Sequence, residues 1–474
     1  MTNCIQQTFA FQGLGKRKVE ADFKGGNVSA DGGVTLLREI DLLDGLTIQL
    51  SECFTDFRDQ RFVEHSVTDL LRQRIYGIAM GYEDLNDHDS LRRDPCMAAG
   101  VGKTDPLGLD RRGETDKGRA LAGKSTLNRL ELTQAKTAGA EIITSGPHKI
   151  RADFDAIEAL LIRHAVSKLE ADTDEIVLDF DATDSLIHGD QEGKFFHGYY
   201  RSYCYLPLYC FIGPWPVWSQ LRTSNRDAAD GTVEALEKIL PVIRERFPKA
   251  RVILRADSGF AREPILSWCE DQGIFYVTGY AKNAVLLRHL DATMFRAKAD
   301  AVVRGGHCTY FTEFGYRTKT SWSRSRRLIG KAQVNPKGEN PRFIVTNLPG
   351  GEDDRWRPER LYREFYCARG DMENRIKDQQ LDLFADRMSC SAMASNQIRL
   401  WFSTIAYVLM ISLRERGLKE SKIFRKASPS VIRANLLKIA TVIRVSVRRI
   451  VLNWSSSFRY QEEIAMCCAA LRRT

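Results

Sequence analysis

The chain has 474 residues, 43% of them hydrophobic, with 70 Lys and Arg against 61 Asp and Glu, a net charge of +9. That is enough apolar content for a large core divided into two to four domains. The eleven cysteines include no CxxC pair and no Cys/His cluster at zinc spacing, which excludes a structural zinc site and a disulfide framework and fits reduced thiols in the cytoplasm. The basic excess suits a polyanionic partner such as nucleic acid, although many basic proteins bind none. The stretch MTNCIQQTFAFQGLGKRK lacks the basic start and apolar core of a secretory signal. The longest apolar run, WFSTIAYVLMISL over 401–413, is shorter than the roughly 20 residues of a membrane span and reads as a buried helix, so no membrane partner is expected.

In chain order, residues 1–168 read as a mostly helical, charged region. In HSVTDLLRQRIYGIAMGYEDL (65–85), Val67, Leu70, Leu71, Ile75, Ile78 and Ala79 recur at steps of three and four, one apolar helical face. A second helix is expected over KSTLNRLELTQAKTA (124–138), with Ser125 or Thr126 as its cap. The Gly-rich, charged stretch 100–123 between them reads as a loop. Beyond about 170 come runs of strand character: EIVLDFD, YCYLPLYCFIG, VWSQLRT, ARVILRAD and IFYVTGYA. Helices at DGTVEALEKILPVIRERF and AREPILSWCEDQG fall between the later ones. This order suits a mixed sheet with helices on its faces, an α/β fold. Residues 291–358 read as short strands, a β insertion. Helices resume at 359, and 419–459 holds ten Lys or Arg against one acid, Glu420.

Two strands end in acids. In IVLDFDATDS, Asp179 and Asp181 project to one face because strand side chains alternate. VILRADSGF ends in Asp257. Two parallel strands that each deliver an Asp near their carboxyl ends form an acidic pocket at the usual site of open α/β sheets. In FYCARGDMENRIKDQQLDLFADR (365–387), read as a helix, Tyr366, Arg369, Glu373 and Gln380 share one face. Asp181, Asp257 and Glu373 together offer hard oxygen ligands for Mg²⁺ or Mn²⁺. Two such ions, about 3.5–4 Å apart, suit phosphodiester transfer. Taken singly, each acid also fits a cap, an ion-pair partner or a solvated loop residue.

DFDATD, LRADSGF and YCARGDMENRIKD together resemble the DDE transposases of bacterial insertion sequences, most closely the group typified by insertion sequence 1380, with the insertion sequence 4 group more distant. HSVTDLLRQRIYGIAMGYEDLNDHDSLRRDP, GDQEGKFFHGYYRSYCYLPL, RFIVTNL and ASNQIRLWFSTIAY extend the resemblance over most of the chain. It implies a ribonuclease H-like catalytic core interrupted by a β-strand insertion, with a mostly helical N-terminal DNA-binding region and a basic helical C-terminal tail. The parts would be 1–168 for DNA ends, 169–290 and 359–418 for the split core, 291–358 for the insertion and 419–474 for the tail.

Residue by residue, the resemblance implies catalytic, metal-binding Asp181, Asp257 and Glu373. Tyr366 and Arg369 match a Tyr-x2-Arg-x3-Glu-x6-Lys pattern whose last position here is Gln380, so Lys377 is the candidate for the lysine's DNA contact. Glu373 follows Asp257 by 116 residues, far more than one strand and a helix require, which matches an insertion. Trp322, with Arg324, Arg326 and Arg327 around it, is either a stacking partner for an extruded base or a Trp closing a small β core. Lys124, Arg129 and His65 are candidates for end contacts. The basic stretch 431–452 is expected to be a helix, either phosphate-binding or packing. The implied activity is Mg²⁺-dependent nicking of double-stranded DNA at the element's terminal inverted repeats, then joining of the 3′-hydroxyl to target DNA. Paired ends imply a homodimer or higher assembly. Another ribonuclease H-like nuclease and a catalytically inactive DNA-binding derivative are the alternatives.

Overall fold

The computed structural model describes residues 8–133, 148–303, 305–351 and 354–472. They fall into two compact units. One comprises Met1–Leu132, Gly139–Arg151 and Ile405–Thr474, the other Thr133–Ala138 and Ala152–Thr404.

The first unit is built from the two ends of the sequence. Its helix Val67–Ala79 starts where the apolar periodicity does: Ser66 and Asp69 cap each other's backbone N–H groups at 3.1 Å, and Leu70, Leu71, Ile75, Ile78 and Ala79 are buried. Asp41, fully buried, is satisfied by the Thr47 N–H at 2.9 Å, the Thr47 hydroxyl, Tyr76 Oη at 2.7 Å and Arg72 Nε at 3.2 Å. The helix Lys124–Glu131 is preceded by Gly123 and has no side-chain cap, in contrast to the expected Ser125 or Thr126. The rest of that expected helix, 134–138, lies outside the described residues.

The tail departs from expectation. The helical path ends at Leu437, and Thr441–Val445 and Ile450–Trp454 form an antiparallel pair in place of one helix over 431–452. TVIRV is rich in β-branched residues and alternates, with Thr441 and Ile443 buried and Val442 and Arg444 exposed. Its other partner is Val28–Ser29, so the strand is completed by a segment more than 400 residues away in sequence.

In the second unit the sheet strands are β1 (Glu175–Ala182), β2 (Leu208–Ile212), β3 (Trp215–Gln220), β4 (Arg251–Ala256), β5 (Phe275–Tyr280), β6 (Cys308–Tyr316), β7 (Arg326–Asn335), β8 (Gly338–Glu339) and β9 (Arg342–Thr346). Their spatial order is β3-β2-β1-β4-β5-β9-β7-β6, with β8 beside β7. β2 is antiparallel to β1 and β3, whereas β1, β4 and β5 are mutually parallel. The carboxyl ends of β1, β3, β4 and β5 therefore lie along one edge. Helices Thr232–Arg246 and Glu263–Asp271 connect β3 to β4 and β4 to β5, as a parallel crossover requires.

The strands expected in the insertion join this sheet through β9, antiparallel to β5. Residues 291–303, expected as strand, belong to the helix Ala284–Val303. Its Ala, Leu, Lys and Arg content favours a helix, and Leu286, Leu290, Met294, Ala297 and Ala301 form its buried stripe. The run WFSTIAYVLMISL lies almost wholly in the helix Met393–Ser412, with Trp401, Phe402 and Leu409 buried. No helix among the described residues is long and apolar enough to cross a membrane, and the described cysteines are free thiols.

Two buried histidines of the first unit tie its stability to pH. Burial, with Lys103 and Arg111 nearby, pushes His65 down to about 4, and burial, with Arg74 nearby, pushes His88 down to about 3. The unfolded chain takes up protons near pH 6.5 that these folded sites refuse, so stability present above 6.5 is lost as pH falls toward 4 and 3. By pH 5 each site has lost about 2 kcal/mol. Urea unfolding at pH 7.5 and 5.0 should show this loss, and His88→Gln should lose about 2 kcal/mol less across the same interval; equal losses in the two proteins would refute the assignment.

Candidate active site

β1 and β4 carry matching patterns, D-F-D and R-A-D, and their parallel register sets Arg255 opposite Asp179. Along β1, Ile176, Leu178 and Phe180 are buried on one face, and Asp179 and Asp181 share the other. Arg255 binds the buried Asp179 through both oxygens, Nε at 2.5 Å and Nη2 at 2.8 Å. Its third donor, Nη1, reaches the Phe365 carbonyl at 2.6 Å. A neutralised rung of the sheet thus anchors the helical segment that carries Glu373.

One step further toward the carboxyl edge, Asp181 and Asp257 follow two residues after Asp179 and Arg255. Asp257 Oδ1 accepts from the Gly259 N–H at 2.8 Å, which fixes the turn out of β4. Asp181 Oδ1 accepts from the Ala182 N–H at 2.9 Å. Burial and then the neighbouring Asp257 push the Asp181 carboxyl up to about 7, with Glu373 adding to the shift and Arg369 opposing it.

The helical segment brings the remaining groups. Arg369 Nη2 lies 2.8 Å from Glu373, and Nη1 lies 3.9 Å from Asp181. Burial works against the charge on Arg369, but Tyr366, Asp181, Glu373 and Asp257 around it raise its pKa on balance. Burial raises the Tyr366 phenol, with Arg369 opposing and Asp257 adding. Gly279 on β5 makes room for Tyr366: a Cβ there would stand 2.6 Å from the phenol oxygen and 2.8 Å from the Ser258 nitrogen. Gln380 donates to the Asp184 carbonyl at 2.9 Å, joining the helical segment to the loop after β1. Lys377, one turn beyond Glu373, is exposed.

Of the residues singled out in the sequence, the structure gathers Asp181, Asp257, Glu373, Tyr366 and Arg369, and it places Trp322, Arg326 and Arg327 in internal roles. Trp322 is 4% exposed and meets Tyr280 and Tyr316 edge-on at 5.1 and 5.7 Å, with Arg326 over its ring at 5.0 Å. Arg326 is held by Glu263 and Glu270. Arg327 binds Glu313 and the carbonyls of Leu348, Pro349 and Trp356. Trp322 thus closes a small aromatic core. His65 is likewise buried, 2.9 Å from Arg111 Nη1, and Lys124 pairs with Asp89 at 3.1 Å. The residue that pattern reading missed is Arg255; the signal for it was an Arg two residues before a strand-end Asp, facing an Asp-x-Asp strand.

A mixed α/β sheet with carboxylates converging at the ends of parallel strands and a late helix defines an α/β protein with an acidic site at its strand-end edge. A family model described as Transposase DDE domain group 1 matches residues 11–474, and the chain belongs to that family. Comparison with curated proteins gives no match. The family implies a metal-dependent, DNA-cleaving enzyme.

The donor set suits a divalent ion in part. Asp181 and Asp257 are hard oxygen donors at the ends of neighbouring parallel strands, both half-buried, and the raised Asp181 carboxyl marks a local deficit of positive charge. Glu373 is turned to Arg369, and among the described residues no three acid, His or Cys groups are already drawn together as a metal cage.

Because Asp179 and Arg255 are both buried, loss of either leaves the other charge uncompensated. Asp179→Ala and Arg255→Ala should each destabilise the protein by about 3–5 kcal/mol in urea unfolding. The double variant should lose clearly less than the sum of the two; strict additivity would show that the pair is not coupled.

Proposed function

We propose that this DDE transposase acts on its own insertion sequence, in the group typified by insertion sequence 1380, through a ribonuclease H-like core whose acids are Asp181, Asp257 and Glu373. The observation that carries the reading is the guanidinium of Arg369, 2.8 Å from Glu373 and 3.9 Å from Asp181, with the charge of Asp257 acting on both Arg369 and Asp181 although the three acids are 76 and 116 positions apart in sequence. The sheet supports it: three antiparallel strands followed by two parallel ones, with the acids on the first strand, the fourth strand and a late helix.

Asp181 and Asp257, joined by Glu373, would hold Mg²⁺ or Mn²⁺. Bound divalent ions supply activation of the attacking oxygen and stabilisation of the leaving one. This chain's own part is to hold the phosphodiester beside the carboxylates. Arg369 is fixed by Glu373 on one side and Asp181 on the other, so its guanidinium can orient a phosphate without searching for a rotamer. Tyr366, wedged against Gly279, keeps Arg369 beside the turn that carries Asp257. The substrates are double-stranded DNA ends, nicked and then joined to target DNA by the freed 3′-hydroxyl, in a cytoplasmic assembly of at least two chains.

In cleavage assays on DNA carrying the element's end, Asp181→Ala, Asp257→Ala and Glu373→Ala should each lower strand cleavage by about 10³-fold or more, and Arg369→Ala by about 10²-fold. End binding in a mobility-shift assay should stay largely intact. Chelation of divalent ions should abolish cleavage, and Mg²⁺ or Mn²⁺ should restore it. Normal cleavage by any one of the three acid variants would remove that residue from the site.

A further inference from the structure

Between Asp181 and β2 the chain makes an excursion, EGKFFHGYYRSYCY over 192–205, whose composition the catalytic site does not account for. It forms a small three-stranded sheet in the order Ser185–Leu186, Ser202–Tyr205, Phe195–His197. Five aromatic residues occur between 195 and 203, and four are strongly exposed: Phe195 at 41%, Phe196 at 58%, Tyr199 at 85% and Tyr203 at 51%. Solvent-facing aromatics at this density are not needed to build three short strands, and clustered exposed apolar surface marks an interaction site.

The rings are ordered against one another. Phe196 and Tyr203 sit opposite each other in the register and meet edge-on at 5.6 Å. Tyr199 meets Tyr200 at 5.0 Å, and Tyr200 meets His197 at 4.9 Å. The sheet lies next to the first acid along the chain, since its edge strand Ser185–Leu186 begins four residues after Asp181. Cations are interleaved. Lys194 lies 5.5 Å from the centre of the Tyr203 ring and is paired with Asp190 at 2.5 Å, and Arg201, exposed at the turn, holds a left-handed φ of 53°. The excursion is anchored to the loop after β3, where the Ser224 hydroxyl donates to the Phe195 carbonyl at 2.9 Å. Arg226 in that loop is exposed.

We propose that this surface, chiefly Phe196, Tyr199 and Tyr203 with Arg201, is a stacking platform for unpaired nucleobases of the DNA strand that enters the site. The inference rests on the DNA-cleaving reading above and adds the binding of single-stranded DNA beside the first catalytic acid. Every base offers a π-face whatever its identity, so exposed rings interleaved with cations bind unpaired strands with little sequence preference. The faces of paired bases in a duplex are already stacked and are closed to such rings. Continuity with the DNA-cleaving site favours a nucleic acid strand over a second copy of this chain, because the edge strand Ser185–Leu186 of this sheet begins four residues after Asp181, and the exposed Arg201 and Arg226 suit the strand's phosphates.

The test uses the full-length protein with two probes, a thymidine 12-mer and a blunt duplex of the same length. Phe196→Ala/Tyr199→Ala should lower affinity for the single strand by about tenfold or more and change duplex affinity by less than about twofold. Phe196→Tyr/Tyr199→Phe, which keeps both rings, should retain single-strand affinity. Both positions are exposed, so an unchanged thermal midpoint verifies the fold. Equal losses on both probes, no loss, or no single-strand binding by the wild type would each overturn the platform. So would a variant that loses self-association in sedimentation while keeping single-strand affinity, since the face would then belong to a second copy. Asp181→Ala, run alongside, separates the two readings: retained cleavage would refute the catalytic assignment whatever the platform result.

Discussion

The ion pair of Asp179 and Arg255 is the contact on which the site depends. A carboxylate on a central strand is costly to bury alone, and a guanidinium directly opposite on the next parallel strand compensates it through two hydrogen bonds. Because Arg255 has a donor left over, the same residue grips the Phe365 carbonyl and so sets where the helical segment crosses the sheet. The distance from Phe365 to Glu373 is two helical turns. An error in the position of that carbonyl would be carried directly to the glutamate.

The contrast between successive rungs of the sheet explains why the next pair of acids is chemically available. At the inner rung, charge is balanced and dry. At the outer rung the same two strands deliver Asp181 and Asp257, and the Asp181 carboxyl rises under burial and the repulsion of Asp257. Arg369 approaches from the helical segment but is shared with Glu373, so its guanidinium is divided between two carboxylates. That imbalance is local to the sheet edge and leaves the core undisturbed. It is the electrostatic condition under which added positive charge, or a substrate that arrives with its own cations, is bound most strongly.

Much of this was legible in the chain. The acids at the ends of IVLDFD and VILRAD, the alternation that puts Asp179 and Asp181 on one face, and the helix that aligns Tyr366, Arg369 and Glu373 all follow from local periodicity. What was hidden depends on partners remote in sequence. Arg255 is unremarked until the register sets it opposite Asp179. TVIRV looks like the middle of a basic helix until Val28–Ser29 supplies its neighbour. Trp322 among arginines suggested a nucleic-acid surface, yet Glu263 and Glu270, about 60 residues earlier in sequence, claim Arg326 and leave the ring packed between two tyrosines. In each case the deciding partner lies far away in sequence, where local pattern does not reach.

The strands β9, β7 and β6 obey the same logic of completion. β5 would otherwise be an edge whose backbone groups lie unpaired, a site for unwanted pairing with another chain. β9 covers it antiparallel from Phe343 to Thr346, and Thr346 adds a side-chain bond to the Tyr276 carbonyl at 2.7 Å. β7 and β6 then extend the sheet outward. Ile329 and Ile344 from these strands are buried in one cluster with Ile253 and Val277 of the first-built sheet and Trp356, Leu361 and Tyr362 from the approach to the Glu373 helix. These strands are therefore part of the packing that seats the approach to that helix, even though none of them contributes a residue to the site.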